Sequence, residues 1–314
     1  MTNPRKIIID TDPGQDDAVA ILLALASPEE LEVLGLSVVA GNVPIAMTSR
    51  NARVVCELAG RPDLAVYEGA TRPLLRAPVT AEHVHGRTGL DGAEVDEPVM
   101  PVVPQHSVDF LIETLRREPS GTVTICTLGP QTNLAMALQR APDIAPRIRE
   151  VVMMGGGLFE GGNITPAAEF NIYVDPHASK LVFSSGIPIV VLPLDVTHQL
   201  LTTKARMDRI GAIGSRVSEV VTGWLQFFER FDVEKYGSDG GPLHDPSVIA
   251  YLLKPELFSG RVCNIEIETA SELTMGMTVV DWWRVTGRQA NATFLRTVDA
   301  DGFFELLTER LARL

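Results

Sequence analysis

The chain has 314 residues, 45% of them hydrophobic and 21% charged, so it can bury a large core and lacks the composition of a disordered or fibrous protein. Its formal net charge of −13 would repel polyphosphate, which disfavours a protein that binds DNA or RNA. The N-terminal apolar run is too short for a signal peptide, and no run reaches the roughly 18 apolar residues that cross a membrane, so no membrane association is expected.

Short apolar runs alternate with stretches of helical periodicity over the first two thirds of the chain. Ile7–Ile9 is predicted to be a buried strand, and the helical spacing of apolar residues predicts a helix over Asp16–Leu25. The same alternation predicts strand Val33–Val39, helix Ile45–Leu58, strand Val123–Leu128, helix Thr132–Gln139, strand Val151–Met154, helix Pro176–Ser184 and strand Ile187–Leu192. This order predicts an α/β fold with a mostly parallel central sheet flanked by helices.

The last part of the chain has a different pattern. It predicts strands over Arg261–Glu268, Thr278–Trp283 and Ala292–Val298, and a closing helix over Gly302–Leu314. No linker, repeat or low-complexity tract separates this part, so residues 1–314 are expected to form a single domain. Two segments rich in Gly, Pro and polar residues, Arg76–Met100 and Gly155–Pro166, are predicted to be loops that could form the walls or lid of a site.

The three cysteines indicate a reducing compartment. Cys56, Cys126 and Cys263 are widely spaced and form no CxxC pair, so neither a zinc ribbon nor a disulfide framework is predicted. Cys126 lies in the apolar run 123–128 and is predicted to be a core residue. We therefore expect a cytoplasmic protein.

The segment Asp10–Asp17 (DTDPGQDD) has four carboxylates in eight residues between a predicted strand and a predicted helix. This is the carboxyl end of a strand, where open α/β sheets build their sites. Carboxylates this close repel one another unless a cation neutralises them, and Ca²⁺ accepts many oxygen ligands in flexible geometry. Helix capping would explain Asp16 or Asp17 but not all four carboxylates. The segment therefore predicts a cation site.

Two other carboxylate motifs do not match this spacing. An EF-hand loop requires oxygen ligands at alternate positions and Glu at the last, whereas Gly14 and Ile21 occupy the fifth and twelfth positions counted from Asp10. Phosphatases that form an aspartyl-phosphate also begin with DxD after a strand, but they have Thr or Val where this chain has Gly14.

Five further motifs follow this segment in chain order. They are Ala40–Asn42 (AGN), a central loop with His85–Gly86 (HG) and Gly89–Gly92 (GLDG), Leu128–Asn133 (LGPQTN), Gly162–Asn171 (GNITPAAEFN) and Pro242–Pro246 (PLHDP). Together with Asp10–Ala20 (DTDPGQDDAVA), they resemble the inosine-uridine preferring nucleoside hydrolase family over about 240 residues. A site that draws on most of the chain also agrees with a single domain.

The resemblance implies calcium-dependent hydrolysis of the N-glycosidic bond of ribonucleosides, giving ribose and a free purine or pyrimidine base. It implies Ca²⁺ ligands at Asp12, Asp17, the carbonyl of Leu128 and Asp245. It implies that Asp16, Asn42, Asn163, Glu169 and Asn171 bind the ribose and that His85 lines the base pocket. Asp12 would be the general base, His244 the leaving-group acid and Asp10 a supporting residue. The family also implies a homodimer or homotetramer that acts in nucleoside salvage or breakdown.

The residue types suit this chemistry. Hydrolysis of a riboside passes through an oxocarbenium-like state, which nearby carboxylates stabilise. A nucleobase is a poor leaving group as an anion, and a histidine can supply the proton it needs. The presence of His244 favours the broad inosine-uridine type over a purine-restricted type that depends on aromatic stacking.

Some residues and function classes stay open. His83, His106, His177 and His198 match no motif and are interpreted as surface or core residues. Phe227, Phe228, Phe231 and Tyr236 are interpreted as a buried helix face rather than a wall over the base, and Trp282 and Trp283 as core or subunit contacts. The alternatives to a nucleoside hydrolase are a metal-dependent phosphohydrolase, which the acidic segment disfavours, and a nucleoside-binding protein without activity, which should have lost one of the predicted ligands.

Overall fold

One continuous sheet includes strands from both ends of the chain in this computed structural model, which describes residues 3–314 except for the side chains of Asp232, Lys235 and Tyr236. The strands are β1 (Arg5–Thr11), β2 (Leu31–Val38), β3 (Val66–Glu68), β4 (Val123–Thr127), β5 (Ile148–Met154), β6 (Ile189–Leu192), β7 (Phe258–Ile267), β8 (Thr278–Asp281) and β9 (Ala292–Val298). Their order is β3-β2-β1-β4-β5-β6-β9-β7-β8. Pairing is parallel from β3 to β9, and β7 pairs antiparallel with both β9 and β8.

Helices cover both faces of this sheet. They are α1 (Gln15–Leu25), α2 (Ile45–Leu58), α3 (Glu82–His85), α4 (Ser107–Arg117), α5 (Thr132–Arg140), α6 (Phe170–Val174), α7 (Pro176–Phe183), α8 (Leu194–Thr197), α9 (Lys204–Gly211), α10 (Arg216–Tyr236), α11 (Pro246–Leu253) and α12 (Ala300–Leu311). Successive side chains of a strand point to opposite faces, so Ile7 and Ile9 belong to one buried cluster and Ile8 to another. The strand is therefore apolar throughout, as expected for a parallel strand covered on both sides.

The predicted α/β fold with a mostly parallel sheet is confirmed. Helix Ile45–Leu58 and strand Ala292–Val298 agree with prediction at both ends, and the other predicted elements agree within three residues. The short strand β3 and the helices between β6 and β7 were not predicted individually. Cys126 is buried, as predicted. No helix among the described residues combines the length and apolar character that crossing a membrane requires.

The tryptophan pair divides between core and surface. Trp282 is buried against Phe294 with a ring-centroid distance of 6.2 Å, so its interpretation as a core residue is confirmed. Trp283 is 72% exposed and is therefore not a core residue. His106 caps α4, where its Nδ1 accepts from the backbone N–H of Val108.

Replacing Phe294 by alanine should lower the free energy of unfolding by about 3–5 kcal/mol, because the ring is fully buried and its removal leaves a cavity. Chemical denaturation measures this change. Leu273→Ala is the control, since Leu273 is 85% exposed and its truncation should cost less than about 0.5 kcal/mol. Equal losses in the two variants would contradict the assignment of Phe294 to the core.

Candidate active site

Three buried carboxylates meet at the carboxyl end of β1. Asp16 and Asp17 lie in the first turn of α1, Asp245 lies just before α11, and each offers a carboxylate oxygen within 4.8 Å of the others. Asp17 is held in place by the hydroxyl of Thr11 at 2.5 Å and the backbone N–H of Gly14 at 3.0 Å. Such a set of oxygens is the donor type that hard divalent cations prefer.

The environment opposes ionisation of these carboxyl groups. Burial, and then the charge of Asp17, raise the pKa of Asp16 to about 7. Burial, and then the charges of Asp16 and Asp17, raise the pKa of Asp245 well above its usual value. In addition, Oδ1 of Asp16 is buried without a hydrogen-bond partner in the described chain. A cation would supply the missing partner and neutralise the repulsion, so these residues fit a metal ion.

Asp12 lies next to this group and is completely buried. Its Oδ2 accepts from the backbone N–H of Asn42 at 2.7 Å, while no described residue bonds to Oδ1. Burial, and then the charge of Asp17, raise the pKa of Asp12 well above its usual value. Two strand-to-helix turns press against this carboxylate, and a Cβ at Gly41 or Gly129 would overlap it. The glycines of two predicted motifs are therefore explained by close approach to Asp12.

Asp10 lies within β1, two residues before Asp12. Its Oδ1 accepts from the hydroxyl of Ser37 at 2.5 Å and from Nδ2 of Asn133 at 2.9 Å. Ser37 also forms a hydrogen bond with Ser107. Asp10 thus ties β1 to β2 and to the start of α5, which agrees with a supporting role.

A second polar group comes from the ends of β4 and β5. The carbonyl of Leu128 accepts from Nδ2 of Asn171 at 2.6 Å. Glu169 caps α6, because its carboxylate accepts from the backbone N–H groups of Asn171 and Ile172, and it also accepts from Gly156. Burial raises the pKa of Glu169 to about 7.

Most of these residues line a cavity of about 580 Å³. All the predicted site residues line it except Asp12 and Asp17, which are buried behind it. The lining residues include segments 81–85 and 160–164, which belong to the two predicted loops. Arg76–Met100 and Gly155–Pro166 therefore do form walls of the cavity, although the first contains the short helix α3.

Two histidines and a phenylalanine also line the cavity. The ring of Phe228 lies 5.4 Å from that of His85 and 6.3 Å from that of His244, nearly perpendicular to the latter. Nδ1 of His244 forms a 2.8 Å hydrogen bond with the hydroxyl of Thr197. Burial lowers the pKa of both histidines to about 3, so both rings are neutral at physiological pH.

The structure corrects several interpretations of aromatic and histidine residues. Phe228 is buried, as the interpretation of a buried helix face requires, but Phe228 and Phe231 also line the cavity, so for these two residues packing is not the whole role. The side chain of Tyr236, placed in the same cluster, lies outside the described residues. His83 and His198 also line the cavity, although they match no motif.

Position in the chain could have indicated one of these additional residues. His198 directly follows α8, the short helix at the carboxyl end of β6, so it lies near the edge of the sheet where Asp12 follows β1. It pairs with Glu160 of the 155–166 loop at 3.0 Å. The phenylalanines had no such signal, because a helix face towards a cavity has the same periodicity as one towards a core.

Comparison with known proteins agrees with the motifs. The sequence profile of the inosine-uridine preferring nucleoside hydrolases matches residues 7–305. The chain is 59% identical to an uncharacterized protein of Schizosaccharomyces pombe over 309 residues, covering 98% of this chain and 99% of the relative. It is 48% identical over 306 residues to the pyrimidine-specific ribonucleoside hydrolase RihA of Salmonella agona, covering 97% of each chain. The structure is similar to the purine-preferring ribonucleoside hydrolase from Gardnerella vaginalis, with a TM-score of 0.91, 29% identity and 98% of each chain covered.

We expect Asp16→Asn to be more stable than the wild type when both are treated with a chelator. This difference in the free energy of unfolding should grow as the pH rises from 3.8 to about 7. The folded wild type binds the Asp16 proton more tightly than the unfolded chain does, so ionisation costs the wild type stability that the variant keeps. Thermal unfolding of both proteins across this pH range measures the difference.

Asp143→Asn is the control for this experiment. Asp143 is exposed and its pKa is lowered by Arg116, so its replacement should change stability in the opposite direction and by less. A difference between wild type and Asp16→Asn that does not grow with pH would contradict the buried, charged environment of Asp16.

Proposed function

The chain belongs to the inosine-uridine preferring nucleoside hydrolase family and is a hydrolase of nucleosides, and we propose that it cleaves the N-glycosidic bond of ribonucleosides in a calcium-dependent reaction. The observation that carries this proposal is the cavity itself, which is lined by buried carboxylates and by two neutral histidines. A ribose needs polar side chains around it, and a nucleobase needs flat, weakly polar neighbours with a hydrogen-bond donor.

We propose that Asp12, Asp17, Asp245 and the carbonyl of Leu128 hold Ca²⁺. The unpaired, buried oxygen of Asp12 and the mutual proximity of Asp17 and Asp245 support this set. Asp16 lies in the same group, so its carboxylate is within reach of both the ion and the sugar. When bound, Ca²⁺ would position and polarise the attacking water.

Asp12 is the proposed general base. A general base must be ionised before the reaction and must be able to keep a proton afterwards. Burial and the neighbouring Asp17 raise its pKa, which strengthens its affinity for a proton, and its Oδ1 makes no hydrogen bond to the described chain. Oδ1 of Asp12 is therefore free to accept a proton from a water molecule at the proposed Ca²⁺ site.

The proposed ribose-binding residues are amides and carboxylates that line the same side of the cavity. They are Asp16, Asn42, Asn163, Glu169 and Asn171. Several are fixed by the backbone: Oδ1 of Asn163 accepts from the N–H of Phe170 at 2.9 Å, and Nδ2 of Asn42 donates to the carbonyl of Asp12 at 3.1 Å. Side chains held in this way can grip the sugar hydroxyls more strongly as the ring flattens, which lowers the barrier to cleavage.

His244 is the proposed leaving-group acid, and His85 a residue of the base pocket. Thr197 holds Nδ1 of His244, so Nε2 is the atom that can donate to the departing base. Because burial lowers the pKa of the free ring, the neutral ring would donate a hydrogen bond from Nε2 to the base, and full transfer of a proton would require the imidazolium form. A histidine donor serves purines and pyrimidines alike, and we propose the broad inosine-uridine type of specificity.

The remaining properties follow the family. We propose that a single domain acts in the cytoplasm as a homodimer or homotetramer, and that it serves nucleoside salvage or breakdown. Free, buried cysteines agree with a reducing compartment.

Ribose release from inosine and from uridine, each with Ca²⁺ and with a chelator, tests the reaction. We expect release from both nucleosides and its loss in the chelator, because the carboxylate group fits a cation. Release that persists in the chelator would contradict calcium dependence. Release of phosphate from phosphoesters, or nucleoside binding without release, would favour the alternative function classes.

His244→Ala should slow cleavage of inosine about a hundred-fold or more, since general acid catalysis contributes roughly that factor. Cleavage of p-nitrophenyl riboside should change far less, because p-nitrophenolate leaves without a proton. Steady-state kcat values for both substrates measure the effect. Equal losses on the two substrates would reject the leaving-group role of His244.

A further inference from the structure

Gln15 is the first residue of α1, and its side chain is completely buried next to the base pocket. Its Nε2 donates to the carbonyl of His85 and to the carbonyl of Asp91, both at 3.0 Å. Backbone carbonyls can only accept hydrogen bonds, so the NH₂ end of the amide must face them. The orientation of the Gln15 side chain is therefore fixed by two atoms that cannot exchange roles.

The other end of this amide contacts the ring of His85. Oε1 of Gln15 lies 2.7 Å from Nδ1 of His85. An amide oxygen can only accept, so Nδ1 of His85 must carry a hydrogen. Gly14 allows the ring to approach this closely, because a Cβ at Gly14 would overlap it.

This contact also determines whether the other ring nitrogen of His85, Nε2, carries a hydrogen. Nε2 of His85 makes no hydrogen bond to the described chain, and His85 lines the cavity. A neutral imidazole with a hydrogen on Nδ1 has a lone pair on Nε2. Burial lowers the pKa of His85 to about 3, which agrees with a neutral ring. Nε2 is then a hydrogen-bond acceptor that points away from Gln15.

We propose that Gln15 is a positioning residue that fixes His85 as the Nδ1–H tautomer, so that Nε2 of His85 accepts a hydrogen bond from a ring N–H of the nucleobase. The inference rests on the proposed function, since it assigns a role within the same cavity. It predicts a preference for bases that carry a ring N–H, as uracil and hypoxanthine do.

The tautomer of His244 is not fixed in the same way. Nδ1 of His244 faces the hydroxyl of Thr197, which can donate or accept, so this contact does not fix a tautomer. His244 can therefore present a hydrogen at Nε2 while His85 presents a lone pair. Two histidines on one wall would then differ in hydrogen-bonding polarity, because one has an amide partner and the other a hydroxyl partner.

The tautomer is measured by ¹⁵N NMR of the full-length protein labelled at histidine, with His85→Phe used to assign the His85 signals. We expect a protonated Nδ1 and an unprotonated Nε2 in the wild type. Adding uridine should shift the Nε2 resonance, whereas 3-methyluridine, which lacks the ring N–H, should not. A hydrogen on Nε2 in the wild type, or equal shifts with both nucleosides, would overturn the proposal.

Methylated substrates test the consequence for specificity. Wild-type kcat/KM should be about ten-fold or more lower for 3-methyluridine than for uridine, and for 1-methylinosine than for inosine, since a buried acceptor is left without its donor. In Gln15→Leu and in His85→Phe, the ratio of kcat/KM for the unmethylated nucleoside to that for the methylated one should be smaller than in the wild type. The ratio that remains should reflect only the bulk of the methyl group. A ratio that is unchanged in both variants would overturn the role of Nε2 as acceptor.

Gln199→Leu is the matched control. Nε2 of Gln199 also donates to two backbone carbonyls, those of Asp195 and Arg296, but its side chain contacts no imidazole. Its loss should leave both the His85 tautomer and the substrate ratios unchanged, and a change equal to that of Gln15→Leu would overturn the proposal. Absence of ribose release from any nucleoside would defeat the proposed function instead, because the His85 tautomer is measured on the free protein, without turnover.

Discussion

The concentration of buried negative charge at the carboxyl end of β1 is the constraint on which the rest of the site depends. Asp12, Asp16, Asp17 and Asp245 are almost fully buried, and the charges of Asp16 and Asp17 raise the cost of ionising both Asp12 and Asp245. Carboxylates at this spacing are tolerated only where hydrogen bonds or a cation compensate them. The surrounding turns supply part of this compensation, and oxygens without a partner remain for a ligand.

The sheet explains how so much charge can be gathered without unfolding the chain. Parallel strands buried on both faces end at a common edge, so each turn contributes one or two polar residues to the same small volume. The turns must also be narrow where they pass the carboxylates, and Gly41 and Gly129 make this possible beside Asp12. Hydrogen bonds among Asp10, Ser37 and Asn133 join β1, β2 and α5.

The histidine rings of the cavity follow a different physical rule. Burial keeps both rings neutral, and Gln15 sets the hydrogen-bonding direction of His85. Gln15 connects the carboxylates to the histidines, because it lies beside Asp16 in sequence and contacts His85 in space. A helix that begins with two buried carboxylates thus also contacts a histidine of the cavity. The chain is similar both to a relative named as pyrimidine-specific and to one named as purine-preferring, so the family fold alone does not determine base preference.

The sequence by itself determined the α/β class, most element bounds within three residues, and the acidic segment, because strand and helix periodicity and the residues that follow a strand are local properties. The motifs also identified the residues of the polar wall. Only the tertiary structure decided that Phe228, Phe231 and His198 reach the cavity, and that Gln15 acts on His85. The partners of Gln15 lie 70 and 76 residues away along the chain, and no local pattern specifies where two such distant loops meet.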